Sequence, residues 1–274
     1  MKIGIVGVYQ TKFGELWDLS IQNLIQHAVE GCLNDGGVNT DHIQSIFIGN
    51  MLASDGTGQK HLGSMVSQII NKSLPTVRVE AACASGGVAM HQAVQSIKSG
   101  EYETALVIGA EKMTDIDSND IAQALMSASE IDEFQMGLTF PGLYALMAKS
   151  YIDQFQLTEK DLAQVAVKNH HHAQFNPKAQ FRFPVTVDQV LNSPKVADPL
   201  KMLDCSPVTD GAAAVFIASS TWIKKHMARN GVYLTGSSIA SDCVSLAHRE
   251  SLSPLKSTQQ AAQKAYAQSG IEVK

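Results

Sequence analysis

The sequence predicts an α/β fold, a mostly parallel sheet covered by helices on both faces, with an irregular segment set into it. Three observations carry this. Short apolar runs alternate with longer amphipathic runs from Lys2 to Gly109; the alternation breaks from Thr114 to about Asp204; and it returns at Ala212. Strand–helix alternation favours parallel pairing, because a parallel crossover is long enough to hold a helix.

The elements follow in order. Lys2 to Val8 is a short apolar run and reads as the first strand. Ser20 to Gly36 places Ile21, Leu24, Ile25, Ala28, Val29, Cys32 and Leu33 at helical spacing, with Ser20 as the expected cap and Gly36-Gly37 as the stop. Ile43 to Ile48 is a second strand, His61 to Asn71 a helix that ends before Pro75, and Thr76 to Ala81 a third strand with Val77 and Val79 alternating. Val88 to Ser99 is a helix stopped by Gly100, and Thr104 to Gly109 a fourth strand. Within the irregular segment, Leu143 to Phe155 and Leu162 to Ala173 read as helices, and Asn176 to Pro199 is a Pro-bearing connection. Strands return at Ala212 to Ala218 and Val232 to Ile239, followed by a helix at Thr258 to Ser269. Strand, helix and Gly270 read as the opening of a second βα round.

Composition excludes several function classes. The 274 residues carry 21 Lys+Arg against 26 Asp+Glu, and a net charge of −5 argues against a general phosphate-backbone binder. An apolar fraction of 45% suits a well-buried core rather than disorder. No apolar run approaches the ~20 residues of a membrane span, and Met1 to Val8 runs straight into a strand without the regions of a signal peptide. Cys32, Cys83, Cys205 and Cys243 are widely spaced and form no CxxC pair. The expectation is a cytoplasmic protein with reduced thiols, no metal site, no nucleic-acid partner and no membrane span.

One segment stands out for chemistry. In TVRVEAACASGG, Thr76 to Gly87, a strand runs into Cys83 and then into small residues that open a helix. Small neighbours permit a sharp strand-to-helix turn and close approach of a substrate, the mechanics of a nucleophile elbow with sulfur in place of oxygen. The helix N-terminus favours the thiolate, the reactive form. A small cysteine packed at a crowded junction fits the same local sequence. Cys32 lies on the apolar stripe of its helix and reads as core. Cys205 sits in a tight turn before a buried strand, and Cys243 in a polar loop. His170, His171 and His172 are adjacent, so they point in different directions around a helix, and a hydrogen-bonding role suits them better than metal ligation. KIGIVGV lacks the third glycine and the later acidic residue of a dinucleotide fold. LTFPGLYALMA, Leu138 to Ala148, fits an acyl pocket and helical packing equally.

Taken together, GVYQTKFGEL near the start, GTGQKHLGSMVS at 56–67, VEAACASGG at 79–87, ALVIGAEKMTD at 105–115, GLTFPGLYALMA at 137–148, NHHHAQFNPKAQFR at 169–182 and CSPVTDGAAA at 205–214 resemble the thiolase family. The branch is that of the sterol-carrier-protein-type thiolases and acetyl-CoA acetyltransferases, and the resemblance runs along essentially the whole chain. It implies a thiolase-like α/β fold with an N-terminal α/β half, an inserted loop domain and only the start of the second α/β half. In those terms, residues 1–114 and 205–230 form the N-terminal domain, 115–204 the loop domain, and 231–274 the beginning of the C-terminal domain.

The resemblance further implies an acyl-CoA C-acyltransferase with Cys83 as the acylated nucleophile and its N–H in an oxyanion hole. It implies coenzyme A as substrate and product with no separate cofactor, and a homodimer or dimer of dimers. By analogy, Met136 to Ala148, with Met136, Phe140 and Leu143, meets pantetheine and the acyl chain. The family continues beyond the equivalent of Lys274 into His-Asp-x-Phe and Gly-His-Pro-x-Gly motifs that activate the nucleophile, and neither string occurs here. Three explanations fit that difference: a fragment of a full thiolase, one half of a split thiolase completed by a second polypeptide, or a non-catalytic relative that binds acyl-CoA or lipid. β-Ketoacyl synthase or hydroxymethylglutaryl-CoA synthase chemistry fits less well, because the strings at 56–67 and 137–148 resemble the thiolase branch.

Overall fold

The computed structural model describes residues 2–53, 57–227 and 231–272; Met1, Gly56 and Lys274, which the sequence reading included, lie outside the described residues. The chain forms two compact units, one of residues 1–115, 209–239 and 260–274, the other of residues 116–208 and 240–259.

The first unit is built on a six-stranded sheet. Its strands are β1 (Ile3–Gln10), β2 (Ile46–Gly49), β3 (Thr76–Val79), β4 (Thr104–Glu111), β7 (Gly211–Ser219) and β8 (Val232–Leu234), ordered β3-β2-β4-β7-β1-β8. Helices cover both faces, as the alternation predicts. Leu106, Ile108 and Ala110 of β4 join Ile46 and Ile48 under α1 (Ile21–Gly36) and α2 (Leu62–Ile69). Ala105 and Val107 turn to the other face, onto Ala89, Ala93, Val94 and Ile97 of α3 (Ser85–Lys98). The two-residue period of the strand separates the two cores. Helix α1 begins and ends where its sequence says: Ser20 caps it, and Gly37 closes it at φ 64°, a left-handed conformation that glycine adopts without strain.

The sheet is mixed rather than mostly parallel. β2 pairs in parallel with β3 and β4, but β7 enters between β4 and β1 antiparallel to both, and β8 is antiparallel to β1. The βα alternation correctly sets a common direction for β1 to β4. The direction of β7 is decided after the long irregular segment, which no local period records. The strand expected over Val232 to Ile239 stops at Leu234. A Cβ at Gly236 would lie 2.4 Å from the carbonyl oxygen of Ala265, so the chain leaves the sheet there to meet the helix α10 (Lys256–Ser269), and the Ser237 N–H donates to the Gln268 side chain at 2.9 Å.

The second unit holds α4 (Ser118–Met126), α5 (Ile131–Gln135), α6 (Phe140–Phe155) and α7 (Glu159–Ala173). The Pro-bearing connection contains order the sequence reading left out. It forms α8 (Val187–Leu191), which opens with a Thr186–Gln189 capping box, and a hairpin of β5 (Lys195–Ala197) and β6 (Leu200–Lys201). Val185 and Val190 pack there against Ala163 and Ala166 of α7. In the first unit, α9 (Ser220–His226) follows β7. Among the described residues no helix is long and apolar enough to cross a membrane.

Candidate active site

The carboxyl ends of β3, β2 and β4 lie side by side in the first unit, the end of a parallel array at which ligands usually bind. Cys83 emerges there. After β3 the chain passes through a single 3-10 turn, Ala82–Ala84, and enters α3 at Ser85, three residues earlier than apolar spacing alone suggests. Ala82 sits at φ 47°, in the left-handed region that a residue with a Cβ rarely occupies. The turn is held by short-range bonds. The Ala81 N–H donates to Ser85 Oγ at 2.9 Å, Ser85 Oγ–H donates to the Ala82 carbonyl at 2.6 Å, and the Ala82 N–H donates to Glu80 Oε1 at 2.5 Å. Ser85 is buried, whereas the Cys83 side chain is exposed. Ala84, at the cap position of α3, supplies no side-chain acceptor, so no side chain blocks the helix start beside the thiol.

The turn is wedged against β2. A Cβ at Gly49 would fall 2.6 Å from the Gly86 nitrogen and 2.7 Å from its Cα, so only glycine lets β2 end this close to the start of α3. Directly after Gly49, the segment Asn50 to Ala53 is tied on every side. The Asn50 N–H donates to the Val79 carbonyl at 3.3 Å, and its side-chain amide donates to the Ala110 carbonyl at 2.8 Å. The Met51 and Leu52 N–H groups donate to the Glu111 carboxylate, and the Ala53 N–H to Asn50 Oδ1 at 3.0 Å. From β3, the Arg78 guanidinium donates to the Met51 carbonyl at 3.1 Å and reaches the Asn50 carbonyl at 3.5 Å. Burial pushes the Glu111 carboxyl above the ordinary carboxylate value, opposed by the Met51 and Leu52 N–H groups and by Arg78 and Asn50.

A second polar cluster lies at the junction of β4, β7 and the segment after β1. Asp210, fully buried, accepts from Lys112 Nζ at 2.7 Å, Thr114 Oγ1 at 2.6 Å, and the N–H groups of Met113, Thr114 and Leu16 at 2.7, 2.9 and 3.1 Å. Burial alone would raise its pKa; the Lys112 ammonium and the Thr114 hydroxyl and N–H outweigh it and hold the carboxyl below its ordinary value. Lys112 also donates to Asp115 at 2.6 Å and lies 5.6 Å from the Trp17 ring centre. Burial alone would lower its pKa, and the two carboxylates raise it instead.

The remaining sequence candidates lie as follows. Cys32 is buried and donates to the Gly7 carbonyl, and burial pushes its thiol up to about 12, which leaves it inert as a nucleophile near neutrality. Cys205 is half-buried, and burial and Asp204 raise its pKa; Cys243 is exposed. His170 donates to or faces the Phe183 carbonyl at 3.0 Å, in keeping with a hydrogen-bonding role. No group of three or more His, Cys, Asp or Glu residues suited to a metal occurs among the described residues. In the second unit Met136 is exposed at 78%, Phe140 is half-buried with its ring 5.2 Å from that of Tyr144, and Leu143 is buried. Sequence reasoning passed over Asn50, Arg78 and Glu111. A signal existed: an arginine inside the apolar strand TVRV and a glutamate closing the buried run ALVIGAE both need partners when they fold inward.

Residues 3–221 match the thiolase N-terminal domain. The chain is 40% identical over 266 residues to an acetyl-CoA acetyltransferase of Methanothermobacter thermautotrophicus, covering 96% of this chain and 69% of that protein. It is 42% identical over 275 residues to one of Methanocaldococcus jannaschii, covering 99% and 70%. Among solved structures, an Ltp2-ChsH2(DUF35) aldolase superposes with a TM-score of 0.82 at 22% identity, over 99% of this chain and 70% of that one, and shares the fold alone.

Proposed function

The chain belongs to the thiolase family of acyltransferase enzymes, and we propose that Cys83 accepts an acyl group from acyl-CoA as a covalent thioester. The observation that carries this reading is an exposed thiol, at a strained strand-to-helix turn, in a unit whose other described cysteine is buried and inert. In acetyl transfer the Cys83 sulfur attacks the carbonyl carbon of acetyl-CoA. The C–S bond to coenzyme A breaks, the thiol proton passes to the departing sulfur, and acetyl-Cys83 and free CoA result. In the degradative direction Cys83 attacks the keto carbon of a 3-ketoacyl-CoA, the C2–C3 bond breaks, and acetyl-CoA leaves with the thiol proton on C2; the thiol of a second CoA then takes the acyl group and its proton returns to Cys83. The Cys83 N–H, in the 3-10 turn that leads into α3, stabilises the developing oxyanion. The names of the two acetyl-CoA acetyltransferase relatives favour acetyl-CoA as the donor.

By family membership the reading extends to acyl-CoA as substrate with no separate cofactor, a homodimer or dimer of dimers, and a cytoplasmic place in lipid metabolism. Residues 1–114 and 205–230 then form the N-terminal domain, 115–204 the loop domain and 231–274 the start of the C-terminal domain. Met136, Phe140 and Leu143 serve the pantetheine and acyl chain, and a second polypeptide is a candidate partner. A thiol retained in this setting speaks against a purely binding role, which needs no nucleophile. Incubation with acetyl-CoA is expected to release about one equivalent of CoA per chain, measured chromatographically, and Cys83→Ala to release none. Equal release from both proteins would overturn the reading.

A further inference from the structure

We propose that Glu111 is a positioning residue for Cys83, acting through the Asn50–Ala53 segment that it and Arg78 clamp against the nucleophile turn. The inference rests on the acyl-transfer reading and deepens it. Its basis is the path of contacts. Glu111 ends β4 and receives the Met51 and Leu52 N–H groups, so a carboxylate on one strand fixes the chain leaving the next. Arg78, five residues before Cys83 on β3, holds the carbonyls of that same segment. The residue before the segment is Gly49, whose backbone abuts Ser85 and Gly86, the first two residues of the helix that follows Cys83. Three strand ends thus meet in one hydrogen-bonded unit, and the nucleophile turn rests on it.

The cost of this arrangement also points to function. The Glu111 carboxylate is drawn out of water, and Arg78 Nε is buried with no hydrogen-bond partner among the described residues. Backbone donors and acceptors alone are more cheaply satisfied by neutral side chains, so two charged groups on this one segment are better explained by a need for fixed geometry than by stability. Glu111 is not itself placed against substrate. What it sets is the direction in which the thiol faces an incoming carbonyl, and a displacement of about 1 Å at a reacting centre costs on the order of 100-fold in rate.

The test uses the full chain, with Glu111→Gln as the main variant and Arg78→Lys as the second. Gln keeps one acceptor oxygen and the side-chain shape while removing the charge. Two rates are measured by intact-mass spectrometry and peptide mapping: acetylation of Cys83 by acetyl-CoA, and alkylation of Cys83 by iodoacetamide. Acetylation needs a directed approach to a bulky thioester, whereas alkylation by a small reagent needs only an exposed thiol. Cys32, buried in the same unit, reports unfolding by becoming alkylated. We expect both variants to acetylate roughly 10–100-fold more slowly than the original protein, with Cys83 alkylation within about 3-fold and Cys32 still protected. Acetylation at the original rate would overturn the proposal, and so would a loss accompanied by Cys32 alkylation, which would mark a structural role. If the original protein itself gains no acetyl group, the acyl-transfer reading fails first and the positioning role with it; an acetylated original beside an unchanged variant overturns the positioning role alone.

Discussion

Asp210→Asn is expected to lower stability by about 3 kcal/mol, the low end of the cost of breaking a buried ion pair. The reason is a count of donors. Both Asp210 oxygens are acceptors for five groups: the Lys112 ammonium, the Thr114 hydroxyl, and the N–H groups of Leu16, Met113 and Thr114. An asparagine offers one acceptor oxygen, and its NH2 then faces donors with nothing to accept. Lys112 retains Asp115 at 2.6 Å, which moderates the loss. Chemical denaturation measures the difference, and a loss under about 1 kcal/mol would place this pair with ordinary surface pairs. The pH dependence follows from the two directions of shift. Asp210, lowered in the folded state, contributes stability above its ordinary value of 3.8 that is lost as pH falls through its folded value. Lys112, raised in the folded state, contributes stability below its ordinary value of 10.5 that is lost as pH rises through its folded value. Between those limits the pair leaves stability flat, and in Asp210→Asn the acid-side loss from this site disappears.

Gly49→Ala is expected to cost about 1–3 kcal/mol and to slow acylation of Cys83, because the new methyl meets backbone rather than a movable side chain. Its contacts are the Gly86 nitrogen and Cα and the Ser85 carbonyl carbon, so relief requires α3 to move away from β2, carrying the Cys83 turn with it. Gly86→Ala is the matched control. A Cβ there has nothing within 4 Å, and alanine in place of glycine favours a helix by up to about 1 kcal/mol. Denaturation midpoints of the two variants should therefore move in opposite directions; a shared direction would mean that close approach at Gly49 is not what holds the turn.

The elements that lie on one continuous period were legible in the sequence. Ser20 and Gly37 bound α1 because cap chemistry is local, and the alternation of β4 sorts its residues onto two cores without reference to anything distant. The exposed strand-to-helix turn at Cys83 was legible for the same reason, since small residues at such a junction are a local signature. The direction of β7 was not, because its partners β4 and β1 are brought to it from about one hundred and about two hundred residues earlier. Glu111 and Arg78 escaped notice because each reads as a single charge in an apolar run, and their meaning lies in the carbonyls and N–H groups of a segment between them in space. The early start of α3 was hidden by Gly86 and Gly87, which lower helix propensity while the packing at Gly49 requires the helix to begin there.

Acylation of Cys83 is read out by intact-mass spectrometry after brief exposure to acetyl-CoA, followed by peptide mapping. One acetyl group per chain is expected, on the peptide containing Cys83, and none on Cys83→Ala. An acetyl group retained by Cys83→Ala, or none on the original protein with Cys32 still shielded from alkylation, would contradict it.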